Sequence, residues 1–152
     1  MRLTRYTDYT LRVLIYLAAR PGRVCAISEM SQAYGVSQNH LMKVVHELGK
    51  AGYVTSVRGR FGGIRLARPP EEINVGAVVR ETEEDFDLVP CGTCVIAPAC
   101  DLSDVLGKAL SAFLAVLDGH TVASLLTRRT ELGRLLGFES GVSHEDAPAA
   151  PP

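Results

Sequence analysis

The chain contains no apolar run of about 18 residues, so no bilayer-spanning helix is expected. No apolar signal region follows the polar opening Arg2, Thr4, Arg5 and Asp8, and a cytoplasmic location is expected. Cysteine is scarce, with four in 152 residues. In a cytoplasmic chain this argues against a disulfide framework. Catalytic constellations are absent too: there is no Ser/His/Asp order, no phosphate loop and no paired carboxylates in a cleft-like setting. No enzyme activity is therefore expected. Acid is rare in the first seventy residues, where eleven Lys/Arg face only Asp8, Glu29 and Glu47, a net of +8.

The remainder is strongly acidic. Residues 71–152 carry five Lys/Arg against fourteen acids, a net of −9, which hides the asymmetry in a formal total of −1. A basic half joined to an acidic half points to a polyanion-binding head and a body that does not bind polyanions. The hydrophobic share of 47% and charged share of 22% are those of a soluble globular protein. The length allows one ordinary domain, or a small head with an accessory element.

Apolar spacing predicts a helix over 8–20, with Leu11, Leu14, Ile15 and Ala18 on one face, Thr7 as cap, and Pro21-Gly22 as terminator. A short helix over 28–34, capped by Ser28, precedes the tight turn Gly35-Val36-Ser37. A second helix, 38–51, turns Leu41, Val44, Val45 and Leu48 inward. Short helix, glycine turn, longer helix is the helix-turn-helix plan. Two strands follow, 53–57 and 64–66, around the glycine-rich tip Arg58-Gly59-Arg60-Phe61-Gly62-Gly63. Two arginines on such a tip have no packing reason to be there, and a basic hairpin after a recognition helix is a wing.

Further on, a helix is expected over 73–84 and the longest over 99–117. In the latter, Leu102, Leu106, Ala109, Phe113 and Val116 step by four and three residues, a coiled-coil-like seam suited to a partner helix. Short helices are expected at 121–127 and 128–136, and a disordered tail from Ser140. The fold class is thus mainly α: a winged helix-turn-helix DNA-binding domain with a two-stranded wing (1–70), a linking helix and cysteine loop (71–98), a dimerisation helix with short C-terminal helices (99–139), and a tail (140–152).

Candidate DNA contacts lie at the start of the second helix of the pair. Gln38, Asn39 and His40 are placed for base edges, and Ser37 and Lys43 for phosphates. Arg12 is a further phosphate candidate, and Arg58 and Arg60 suit the minor groove or its flanking phosphates.

Cys91, Cys94 and Cys100 fall within ten residues. A zinc site would need a second C-x2-C or an H-x3-H nearby, and neither is present; His120 lies twenty residues beyond Cys100. Thiol redox catalysis by Cys91-Gly92-Thr93-Cys94 would need a helix N-terminus and usually a βαβ setting. An iron–sulphur cluster is the third possibility, and a tetrahedral ion or a four-iron cube needs a fourth ligand. Cys25, alone among Val24, Ala26 and Ile27, reads as a small buried hydrophobe.

The segments MRLTRYTDYTLRVLIYLA, NHLMKVVHELGKAGYV, RGRFGGIRLA, INVGAVVRETE, CVIAPAC and LSAFLAVLDGHTVASLL together resemble the Rrf2 family of winged-helix regulators, from Met1 to about Leu136. The APAC and LAVLD stretches resemble its nitric-oxide-sensing branch. This resemblance implies a homodimeric repressor of an inverted-repeat, double-stranded DNA operator, released when its cluster is nitrosylated. It implies a [4Fe-4S] cluster on Cys91, Cys94 and Cys100, completed by Asp8 of the partner subunit within RYTDYTLR. A [2Fe-2S] cluster fits less well: a sister branch holds one with a His three residues past the last cysteine, where Ser103 stands here. The two-residue gap between Cys91 and Cys94 is shorter than is usual in the family. Two alternatives stay open: a regulator of the same fold that senses iron, cluster status or redox stress, and a small metal or thiol redox protein without a DNA role.

Overall fold

The computed structural model describes residues 2–138. Helix α1 (Arg5–Ala18) begins before the expected residue 8. Thr4, not Thr7, is its cap, and the Thr4 hydroxyl accepts from the Thr7 amide at 3.2 Å. Thr7 is fully buried and donates its hydroxyl to Thr82 at 2.9 Å. The stripe Val13, Leu14, Leu17 and Ala18 is buried, so α1 runs through the middle of the molecule.

Helix α2 (Ile27–Tyr34) starts one residue ahead of the expected Ser28 cap, because the Glu29 carboxylate accepts from the Ala26 amide at 3.1 Å. It ends at Gly35, whose φ of 61° is left-handed backbone that glycine adopts without a Cβ penalty. Helix α3 (Gln38–Lys50) follows after Val36 and Ser37 and buries Leu41, Val44, Val45 and Leu48, as their spacing requires. Strands β1 (Val54–Val57) and β2 (Gly63–Leu66) pair antiparallel, with Val54 opposite Leu66 and Val57 opposite Gly63.

Cys25 exchanges two backbone hydrogen bonds with Ile64, each 2.9 Å, and ties the segment before α2 to the wing. Its side chain is fully buried, and burial foremost pushes its thiol pKa up. It is thus the core residue that its apolar neighbours indicated.

Helix α4 (Val75–Thr82) is shorter than the expected 73–84. Asn74 caps it, accepting from the Ala77 amide at 2.9 Å, while Ile73 is extended and buried, its carbonyl taking the Val122 amide at 2.9 Å. Helix α5 (Leu102–Asp118) starts after a separate 3-10 turn at Ala97–Ala99, so the expected start at 99 is corrected to 102. The Arg80 guanidinium on α4 grips both oxygens of Asp118 at the end of α5, at 2.6 and 2.7 Å. The expected short helix over 121–127 is a single 3-10 helix at Ala123–Leu126, and the one expected over 128–136 is α6 (Arg129–Leu135). Arg129 donates to the carbonyls of Ala18 and Ala19 at 3.1 and 3.0 Å, closing the C-terminus of α1. Ile73, Val78 and Val122 belong to the same buried cluster as α1 and α3. The expected tail lies outside the described residues.

No residue of α5 is fully buried. Within the expected seam, Leu106 and Phe113 are half-buried, whereas Leu102, Ala109 and Val116 are exposed. The outward apolar stripe is Leu102, Val105, Ala109, Ala112 and Val116, spaced three and four residues apart.

Candidate nucleic-acid interface and cysteine loop

Burying Leu41, Val44, Val45 and Leu48 forces the opposite side of α3 into solvent. Asn39, Lys43 and His46 lie on that side, with Met42 beside them at 51% exposure. Ser37 and Gln38 are exposed at the helix start. His40 is exposed as well, but its ring leans toward Tyr9 of α1, with centroids 6.2 Å apart. Arg58 and Arg60 stand exposed at the hairpin tip. Lys43, Arg58 and Arg60 form no ion pair among the described residues. Lys50, by contrast, is held by Glu47 at 2.9 Å. The outward side of α3 and the wing tip therefore present unneutralised cations and amide side chains, a combination suited to phosphates and base edges.

Arg12 behaves differently from the other candidates. Its Nε donates to Asp8 Oδ1 at 2.8 Å, one helical turn away, and its guanidinium lies 5.7 Å from the Tyr34 ring centroid. The Tyr34 hydroxyl donates to the Arg12 carbonyl at 3.1 Å. Burial pushes the Tyr34 pKa up to about 12, so this phenol remains a donor. One chain of contacts thus joins Asp8, Arg12 and the end of α2. Asp8 Oδ2 takes no hydrogen bond among the described residues, and the side chain is 44% exposed.

The start of α1 is also clasped to the end of α4. Glu83 accepts from the Thr4 amide at 2.8 Å and the Thr4 hydroxyl at 3.0 Å. Its partial burial would raise the carboxyl pKa, but the hydrogen bonds it takes from the Thr4 amide and hydroxyl hold it below the usual glutamate range. Sequence reasoning missed Glu83. The only local signal was the pair Thr4 and Thr7 at capping spacing, and the acid that completes the cap lies 79 residues away.

Beyond Glu83 the chain enters the cysteine loop. Cys94 N donates to Cys91 O at 3.1 Å, Ala97 N to Cys94 O at 3.1 Å, and Cys100 N to Ala97 O at 3.3 Å. These turns run from Cys91 to Cys94 and then through Ala97 to Cys100. Cys94 and Cys100 each close a 3-10 turn in extended backbone, with ψ of 129° and 122°, so the two 3-10 turns, Cys91–Thr93 and Ala97–Ala99, remain separate. All three thiols are free; Cys91 and Cys100 are half-buried and Cys94 is exposed. At the tip, Val95 is 93% exposed and Ile96 60%. Soft thiolates suit iron–sulphur chemistry, so the donor set fits a cluster that lacks one ligand. Among the described residues of a single chain, no three His, Cys, Asp or Glu side chains gather as a metal site.

The comparisons with known proteins agree with this geometry. A family model described as "Rrf2: Iron-dependent Transcriptional regulator" matches residues 3–128. The chain is 52% identical over 142 residues to the HTH-type transcriptional regulator NsrR of Bacillus subtilis (strain 168), covering 90% of this chain and 97% of that protein. It is 47% identical over 146 residues to the NsrR of Shouchella clausii, covering 92% and 98%. Among solved structures it is similar to T. potens IscR, with 28% identity, a TM-score of 0.71, and coverage of 87% of this chain and 90% of that one. The winged-helix reading, the basic head and the cysteine-bearing body thus converge, and the chain belongs to the Rrf2 family of transcriptional regulators.

Proposed function

We propose that the chain is a homodimeric repressor that holds an iron–sulphur cluster and leaves its operator in response to nitric oxide. The observation that carries this reading is a loop with three free thiols, one ligand short of a cube, together with an Asp8 on α1 that keeps one carboxylate oxygen unengaged. Cys91, Cys94 and Cys100 of one chain would hold a [4Fe-4S] cluster, and the partner's Asp8 would complete it. When bound, the cluster supplies iron that reacts with nitric oxide, as the resemblance to the nitric-oxide-sensing branch implies.

The chain's own residues set what the heads do. Asp8 and Arg12 share one turn of α1, so whatever holds Asp8 also sets the reach of the Arg12 guanidinium. A shift at Arg12 passes through the Tyr34 hydroxyl to the end of α2, and Gly35 links that end to α3. In this reading residues 1–70 bind DNA, 71–98 link and carry the thiols, and 99–139 dimerise through the outward stripe of α5. Gln38, Asn39 and His40 face base edges, and Ser37, Lys43, Arg12, Arg58 and Arg60 face phosphates or the minor groove. Two heads of a dimer then meet half-sites of an inverted repeat about 34–36 Å apart.

Mixed dimers test the cross-subunit site. A chain carrying Asp8→Ala, paired with a chain carrying Cys94→Ala, retains one complete ligand set if Asp8 acts across the dimer. A chain carrying both substitutions, paired with an unaltered chain, retains none. Iron content near half of normal in the first dimer and near zero in the second is expected; the reverse pattern would place Asp8 in the same chain as its cysteines. The family description "Iron-dependent" favours a second reading, a regulator of iron supply. DNA release by a chelator, with no response to nitric oxide, would select it.

A further inference from the structure

We propose that Phe61, at the tip of the wing, enters the minor groove of the operator as an apolar wedge against a single base step. The inference rests on the DNA-binding reading above and deepens it by assigning a residue that reads the DNA without hydrogen bonds.

The hairpin is built to push this ring outward. Gly62 N donates to Gly59 O at 3.0 Å, so Arg60 and Phe61 occupy the two corner positions of a four-residue turn. Gly59 has φ of +116°, a conformation that L side chains rarely adopt. At Gly62 a β-carbon would press on the carbonyls of Val57 and Gly59. Two obligate glycines thus set the corner in one shape. Phe61 is 88% exposed there. Its ring sits beside the Arg60 guanidinium, 5.9 Å from the centroid, and Arg58 is exposed on the other side of Gly59.

A phenyl ring in water gains by finding apolar surface, and its neighbours decide which surface it meets. Two unpaired guanidiniums call for a partner with dense negative charge. Double-stranded DNA offers both properties in one place, phosphate rails flanking the apolar faces of stacked bases. A narrow minor groove has an enhanced negative potential that attracts arginine. Apolar side chains inserted from that groove partly unstack a base step and kink the duplex. Phenylalanine has no hydrogen-bonding group, so it discriminates by deformability, and pyrimidine–purine steps yield most easily. With the outward side of α3 in the major groove, the hairpin that follows it is free to reach the neighbouring groove.

The test uses the full chain, isolated without air, and a duplex selected by the unaltered protein from a randomised pool. 2-Aminopurine is placed at successive positions along the outer part of each half-site. The unaltered protein should raise its emission at one step per half-site. Phe61→Ala should abolish that rise and weaken binding by about tenfold, the scale of losing one aromatic–base contact. Phe61→Leu should keep most of both, because leucine also serves as a wedge. Replacing thymine by uracil should leave the Phe61 effect unchanged. If Phe61→Ala binds with the same emission profile as the unaltered protein, the wedge is refuted while DNA binding stands. If the Phe61 effect vanishes on uracil DNA, the ring meets a thymine methyl in the major groove and the groove assignment is wrong. If the unaltered protein selects no duplex, the DNA-binding reading fails and the wedge with it.

Discussion

Gly63 shows how a single missing β-carbon holds the wing to the head. A methyl group there would run into the Cys25 carbonyl and break the pair of backbone bonds that Cys25 shares with Ile64. Gly63→Ala should therefore cost about 2 kcal/mol, within the range for forced overpacking, measured as a lower urea midpoint. Gly92→Ala in the cysteine loop meets nothing within 4 Å and should leave the midpoint unchanged. A loss at Gly92 comparable to that at Gly63 would contradict this account. Cys25 was legible in the sequence as a buried residue from its apolar neighbours. Its backbone partnership with Ile64 was not, because a one-residue bridge leaves no period to read.

Among the elements, α3 was the most readable, whereas the start of α1 was not readable. The stripe Leu41, Val44, Val45 and Leu48 fixed both the helix and its buried side from spacing alone. The start of α1 depends on Glu83, far away along the chain, so local capping rules chose Thr7 instead of Thr4. The proposed cluster site has the same limit: three thiols are visible in one segment, but a ligand from another chain would leave no mark in their spacing. The clasp at Thr4 has a testable pH dependence. The Glu83 pKa is lower in the folded chain than its ordinary value. Its stabilisation is therefore complete above the ordinary glutamate range and is lost as pH falls through the lower folded value. Glu83→Gln should remove this part of the acid sensitivity, read as a flatter stability–pH profile at the acid end. Thr4→Ala should cost about 1 kcal/mol through loss of the cap. An unchanged acid limb in Glu83→Gln would show that the clasp contributes nothing.

Over the whole molecule, positive and negative charge are segregated along the chain. The basic first seventy residues carry α3 and the wing, and the acidic remainder carries the thiols and α5. The outward stripe of α5 leaves Leu102, Val105 and Val116 at 50%, 57% and 64% exposure, a pattern that suits a second copy of the helix. Val105 lies outside the buried core cluster and is more than half exposed, so Val105→Glu should leave the fold intact and shift the dimer to monomer in sedimentation experiments. A dimer of unchanged strength would place the interface elsewhere. In the proposed repressor, one cofactor would link the thiol loops to the DNA-reading heads. The most direct test is an anaerobic titration of the full-length protein with nitric oxide, following visible absorption and retention of a selected operator duplex in the same samples. The prediction is an iron- and sulphide-bearing protein whose absorption changes in step with loss of the operator. A colourless, iron-free protein that binds and releases the same duplex on the same titration would contradict it.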